Sequence, residues 1–235
     1  MAPPKCPRAV ELNAYPPSRD RSTYDSLVKI VVGKGLRQEE FRVYRGLLCH
    51  HSTYFKKALQ GNWLEAKNQE FLLDEDDPRV FSAVYNWIFT RRLYDPPQGA
   101  QESHKIPIDW KLLFKIYVFS KARGIPGVSY AVIDLLCLKY AEVWQVPCFE
   151  IQFLYENTLP DDPARKLVVH FLSQSCSPLD GYLSQNRRNY YHIDFVCDLA
   201  LELDRMPTPR LLKGKEYWEK VNRCQYHKHE KDEVG

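Results

Sequence analysis

The stretch that decides the fold runs from Ser26 to Leu93 and opens with Leu27-Val28-Lys29-Ile30-Val31-Val32-Gly33. Apolar residues at every second position of this run predict a β-strand with one buried face. Phe41-Arg42-Val43 repeats the alternation, and the glycines at 33 and 35 suggest the turn of a hairpin between the two strands. A third, short strand is predicted at Glu70–Leu73. The sequence around these strands has helical rather than alternating periodicity, which indicates an α+β fold.

Two Asp-Pro pairs, Asp77-Pro78 and Asp162-Pro163, mark the starts of predicted helices. Aspartate accepts hydrogen bonds from free N–H groups at a helix start, and proline is tolerated at the first helical position. Further helices are predicted between Asp109 and Gly124 and over roughly 126–140, 147–157 and 193–201. In the helix over 147–157, the predicted apolar face consists of Phe149, Phe153 and Leu154.

The composition is that of a globular protein without a strong charge. The 235 residues include 33 basic and 30 acidic side chains, for a net charge of +3, so no bulk field attracts the chain to nucleic acid or lipid. The N-terminus has no signal-like apolar core, and no apolar run approaches the roughly 20 residues that span a bilayer. Seven cysteines without a CxxC pattern favour a reducing compartment. We therefore expect a soluble protein of the cytoplasm or nucleus.

Motifs for catalysis or metal binding are not recognisable in the sequence. Cys49-His50-His51 and the set Cys224, His227 and His229 lack the two close ligand pairs that a structural zinc site needs. Nucleophile, zinc-protease and P-loop signatures are also missing. The sequence predicts no catalytic residue, no metal ligand and no cofactor.

Several short motifs occur in the order in which they occur in one family. The chain resembles a BTB/POZ domain protein of the type abundant in fungi, and the motifs are Val31-Val32-Gly33, Phe41-Arg42-Val43, Leu47 to Phe55, Gly61 to Ala66, Asp76 to Phe81, Trp87 to Leu93 and the later Tyr155 to Pro160. The resemblance implies a BTB/POZ fold, a small mixed sheet flanked by helices, followed by an all-α extension.

The resemblance also implies a division of the chain. Residues 1–22 hold five of the prolines and are predicted to be a disordered lead-in. Residues 23–141 are the expected BTB/POZ domain. Residues 142–205 resemble the start of a BACK-like helical region, and 206–235 are predicted to be a charged, flexible tail.

Four residues are candidates for an interface by resemblance. Dimeric relatives pair an acid near the first strand with a basic residue after the second, and the nearest residues here are Asp25 and Arg45. Trp110 and Tyr117 lie in a segment that resembles the partner-facing or core helices of the family, so each is either an interface residue or part of the core.

The resemblance implies a protein–protein interaction module and no enzyme. The leading hypothesis is an adaptor or assembly factor, such as a substrate adaptor that joins a cullin-type ubiquitin ligase. The alternative is an oligomeric scaffold or transcription-linked recruiter without a ligase role, and the third hypothesis is an enzyme with an unrecognised site. The expected partners are other proteins, among them a second copy of the chain or a cullin scaffold, with no direct contact to nucleic acid or membrane.

Overall fold

The computed structural model describes residues 21–24, 26–61, 64–95 and 106–227. Most of the predicted lead-in and the last part of the predicted tail lie outside these residues. The chain divides into two compact units. Among the described residues, the sheet unit comprises those between 21 and 108 together with 115–132, and the helical unit comprises 109–114 and 133–227.

A three-stranded mixed sheet lies in the sheet unit, in the order β2-β1-β3. The central strand β1 (Leu27–Val32) pairs antiparallel with β2 (Glu39–Tyr44) and parallel with β3 (Glu70–Leu73). Ile30 is opposite Phe41 on one side and Phe71 on the other. Val28, Ile30 and Val32 are fully buried, which confirms the predicted alternation and the three predicted strands.

Three helices lie between β2 and β3 in the sheet unit, α1 (Arg45–His51), α2 (Thr53–Gln60) and α3 (Leu64–Asn68), and α4 (Pro78–Thr90) follows β3. Helix α4 begins where the Asp-Pro pair predicts, and the Asp77 carboxylate accepts a hydrogen bond from the Arg79 N–H at 3.1 Å. Its side chains Val84 and Trp87 are fully buried. Burial of each such side chain stabilises the fold by about 1.5–3 kcal/mol, so α4 forms a large part of this core.

Helices α5 (Trp110–Ala122) and α6 (Pro126–Val143) each contribute residues to both units. The Asp109 carboxylate caps α5 by accepting a hydrogen bond from the Leu112 N–H at 2.7 Å. Ser120 and Ser129 join the two helices through a buried hydroxyl pair at 2.7 Å. The predicted starts of both helices are confirmed.

The helical unit continues with α7 (Cys148–Glu156), α8 (Pro163–Ser175) and α9 (Ile193–Arg205). Helix α8 is buried on most of its circumference and packs against both of the others. The predicted apolar face of α7 was wrong at Phe149, whose side chain is 69% exposed. Leu154 is buried as predicted, together with Cys148, Ile151 and Tyr155, because these residues follow the i, i+3, i+6, i+7 spacing of one helix face.

The last part of the described tail, which was predicted to be flexible, packs against the helical unit, although residues 211–216 are exposed. It contains a short helix, α10 (Lys215–Lys220), whose Trp218 is fully buried. The Trp218 indole N–H donates to the Ser175 hydroxyl at 2.7 Å, and Tyr226 is hydrogen-bonded to His170 at 2.8 Å. The pair Tyr217-Trp218 lies between charged residues and gives no periodic signal, which is why the sequence pattern did not predict this packing.

Together these elements confirm the α+β fold class, a small mixed sheet with helices followed by a helical extension. Among the described helices, none combines the length and the apolar character that a membrane span requires.

Candidate interaction surface

Five aromatic side chains form a continuous row in the sheet unit, and we call them the aromatic row: Tyr24, Tyr44, Phe89, Tyr85 and Phe41. The ring centroids of successive members are 5.2, 6.5, 4.9 and 5.5 Å apart. These distances lie in or near the range of favourable edge-to-face and offset ring pairs. The row is therefore one connected surface rather than a set of isolated rings.

The row is only partly buried. Tyr24 is 44% exposed, and the other four side chains are half-buried. Leu27, which is opposite Tyr44 in the sheet register, is 48% exposed and widens the apolar surface. Partly exposed aromatic residues in contact with one another are enriched at protein interfaces, so this surface is suited to a protein partner.

Local structure explains how the row is assembled. Strand β2 lies at an edge of the sheet, and α4 packs against it. Tyr85 and Phe89 are four residues apart on α4 and share one side of the helix, where their rings reach Phe41 and Tyr44 of β2. Tyr24 ends a 3-10 turn, Arg21–Tyr24, that immediately precedes β1. The row thus follows the edge strand and the helix beside it.

The outer face of the sheet has a different chemistry. Lys29 on the central strand forms ion pairs with Glu70 at 3.0 Å and Glu40 at 3.5 Å, and Arg42 contacts Glu40 at 3.0 Å. The hydrogen bond to Glu70 raises the pKa of Lys29, and the hydrogen bond from Arg42 lowers the pKa of Glu40. Charged side chains at a sheet edge oppose the addition of a further strand. Leu27 and Tyr44 are two residues from Lys29 and Arg42 on the same strands and share their face of the sheet, so these charged side chains border the aromatic row.

Of the two predicted residues of the charged pocket, only Arg45 lies within the described residues, and Asp25 does not. Arg45 is half-buried at the start of α1, and its Nη2 donates to the carbonyl oxygen of Leu59 at 2.9 Å, near the end of α2. The guanidinium thus ties two helices of the same chain together. Its pairing with Asp25 stays a prediction.

The other two predicted interface residues lie in different environments. Trp110, in the helical unit, is half-buried, with the Lys139 ammonium 5.7 Å from its ring centroid. Tyr117, in the sheet unit, is 1% exposed. Tyr117 is therefore part of the core, where a partner does not reach it, whereas Trp110 retains some exposed surface.

The Cys49-His50-His51 segment has a structural role in this fold. His51 is buried, its ring lies 5.2 Å from that of Trp87, and its Nε2 accepts a hydrogen bond from Arg91 at 2.7 Å. Burial, with a further contribution from the Arg91 charge, lowers the pKa of His51 to about 3. In the second set, His227 is buried 3.3 Å from the Asp134 carboxylate, and His229 lies outside the described residues. Among the described residues, no three His, Cys, Asp or Glu side chains are grouped to hold a metal ion.

Sequence reasoning did not identify the aromatic row. The only sign of it in the sequence was the wide apolar face of α4. Phe81 and Tyr85 lie beside the apolar residues that follow the usual spacing of a buried helix face. An apolar arc wider than one packing contact requires leaves side chains for a second surface. Which of them would be exposed depends on the neighbouring strand, which the helix pattern does not specify.

Comparison with known proteins identifies the domain that carries this surface. Residues 21–106 match the family model described as BTB/POZ domain. All five members of the aromatic row lie inside the matched range. Among curated proteins, no match was found.

Proposed function

We propose, from the BTB/POZ domain that residues 21–106 form, that this chain is an adaptor or assembly factor that binds a partner protein on the aromatic row. BTB/POZ domains are protein–protein interaction modules. The observation that carries the proposal is the row itself, a connected and partly exposed aromatic surface within the matched domain.

The chemistry of the row fits a binding surface. Tyrosine is among the residues that contribute most to binding free energy at interfaces, because a large rigid ring loses little conformational freedom on binding. The exposed charged residues Glu39, Glu40 and Arg42 border the row on β2 and supply the polar rim that typically surrounds such a centre.

We propose further that the partner is the scaffold of a cullin-type ubiquitin ligase. The support is architectural: the matched domain is followed by helices α7, α8 and α9, in the order that resembles ligase adaptors. In this proposal the helical unit captures the substrate. The alternative is an oligomeric scaffold or recruiter, in which the row of one copy contacts another copy.

A pair of leucine variants tests the proposal. Leu27 and Leu72 both point outward from strands of the same sheet, and they are 48% and 65% exposed. Leu27→Glu places a carboxylate beside the row, whereas Leu72→Glu places the same charge on β3, the opposite edge strand. Binding of each full-length variant to a purified N-terminal domain of a cullin is measured by calorimetry, and self-association by sedimentation.

The outcomes separate the hypotheses. The adaptor proposal expects the wild-type chain and Leu72→Glu to bind the cullin domain and Leu27→Glu to bind at least tenfold more weakly, because a carboxylate at the row must be desolvated. Equal binding by both variants would show that the row is not the docking surface. Self-association that depends on Leu27, without cullin binding, would support the scaffold instead.

A further inference from the structure

Helix α9 carries a second apolar face that its own unit leaves uncovered. Phe195 and Leu199 are buried where α9 packs against α7 and α8. Five other apolar side chains are exposed, with Ile193 at 68% and Leu201 at 55%, and the set consists of Ile193, Val196, Cys197, Ala200 and Leu201. We call these five residues the α9 stripe.

The stripe is contiguous on the helix surface. At about 100° per residue, its members fall within an arc of about 140°, and the helix is roughly 20 Å long. Cys197 and Ala200, near the middle, are small and allow another helix to approach closely. Asp204 falls within the angular range of this arc, but in the last turn of the helix, and is exposed. An exposed apolar arc of this width is typical of a helix that packs against a second partner.

The charges beside the stripe indicate what that partner is. Asp194 and Arg205 lie on the same flank of α9, at its two ends, because they are separated by close to three helical turns. Both are exposed, and the Asp194 side chain retains 55% exposure although it lies 3.6 Å from His192 and 3.8 Å from Arg165. The other acids on this flank have contacts within the chain, since Asp198 accepts a hydrogen bond from Tyr155 at 2.8 Å and Glu202 lies 3.3 Å from His170.

This arrangement is complementary to itself. When two copies of α9 meet around a two-fold axis in antiparallel orientation, the same flank of each helix comes together with its ends reversed. Asp194 of each copy then meets Arg205 of the other. A parallel pair around a two-fold axis would turn these flanks to opposite sides and keep Asp194 away from Arg205 of the other copy, so the charge pattern favours the antiparallel arrangement.

We propose that α9 pairs antiparallel with α9 of a second copy of this chain through the α9 stripe. This self-association surface lies in the helical unit, outside the matched domain, and does not depend on the aromatic row. One helix pair buries less area than a standard interface, so the association is weak and concentration-dependent. Two copies of the chain would then be joined through α9, whichever partner the BTB/POZ domain of each copy binds.

Charge reversal provides the first test. Sedimentation of the full-length chain is followed from roughly 1 to 500 µM, the range expected for a small interface. Asp194→Lys and Arg205→Glu each replace two attractive pairs by two repulsive ones and should weaken association about 2- to 30-fold. The double variant restores opposite charges and should recover association. A monomeric wild-type chain, or a double variant no better than the single ones, would overturn the proposal.

A matched alanine pair tests the apolar contact. Ala200, in the stripe, and Ala122, on α5, are both exposed helical alanines, and glutamate is nearly as good a helix former as alanine. Ala200→Glu should weaken association at least tenfold by burying a carboxylate, and Ala122→Glu should leave it unchanged. Equal effects would overturn the proposal. Repeating both variants in the Leu27→Glu background separates pairing through α9 from association through the aromatic row.

Discussion

Replacement of Trp218 by alanine tests whether the end of the described chain is part of a core. The Trp218 side chain is fully buried, and its ring centroid lies 4.9 Å from that of Phe171 and 5.4 Å from that of Tyr140. Its indole N–H donates to the Ser175 hydroxyl at 2.7 Å. Alanine removes the ring, both aromatic contacts and the hydrogen bond at once.

The expected cost follows from these contacts. Truncation of a buried tryptophan to alanine typically destabilises a protein by about 3–5 kcal/mol. Part of this is the hydrogen bond, worth about 1 kcal/mol, and the two ring contacts add roughly 0.5–1.5 kcal/mol each beyond burial. Since domains are typically stable by about 5–15 kcal/mol, Trp218→Ala should remove roughly a fifth or more of the stability of the helical unit.

Urea unfolding followed by circular dichroism measures this loss, and hydrogen exchange of the α8 amides assigns it to the helical unit. Trp218→Phe, which keeps most of the ring volume, should cost distinctly less than Trp218→Ala. Tyr217→Ala removes the half-buried neighbouring ring and should cost less again. A loss below about 0.5 kcal/mol in Trp218→Ala, the level of an ordinary surface substitution, would refute the conclusion that the segment around Trp218 is packed.

Three further predictions concern the sheet unit. Burial lowers the pKa of His51 to about 3, whereas the unfolded chain has the ordinary pKa of about 6.5. Below pH 6.5, unfolding therefore takes up a proton at His51, and this should make the free energy of unfolding about 2 kcal/mol lower at pH 5 than at pH 8. His51→Gln should remove that part of the pH dependence of urea unfolding; an unchanged slope would contradict it. Asp77→Ala removes the cap of α4 and should lower stability by about 1–2 kcal/mol, whereas Asp77→Asn, which keeps a capping oxygen, should lose less in the same assay. Gly46→Ala would place its Cβ 2.3 Å from the Thr23 Cα and should cost about 1–3 kcal/mol or more. Gly181→Ala, whose Cβ meets nothing within 4 Å, is its control in thermal unfolding, and equal melting temperatures would refute the clash.

Local signals predicted the individual elements well. The alternation of Val28, Ile30 and Val32 identified the central strand, and the Asp-Pro pairs at 77–78 and 162–163 identified two helix starts. These signals work because strand alternation and helix capping depend on residues close together in the sequence. The prediction for α7 was wrong at Phe149. This short helix has apolar residues on more than one side, and the neighbouring elements decide which side is buried.

The candidate surfaces were less predictable. Tyr117 was a candidate interface residue by resemblance but is buried, and the members of the aromatic row were not recognised as a group. Each of these outcomes depends on which strand or helix lies beside the residue. The packing of Trp218 was also missed, because two adjacent aromatic residues between charged ones carry no periodic signal.

By itself, the sequence determined the α+β class, the order of strands and helices, and the resemblance to a BTB/POZ domain. Periodicity, caps and family motifs all depend on residues that are close together in the sequence. Tertiary structure alone decided that five aromatic rings from a turn, a strand and a helix meet in one row, and that α9 leaves an apolar stripe uncovered. Exposure is a property of a residue and its distant neighbours together, and those neighbours are brought near only when the chain folds.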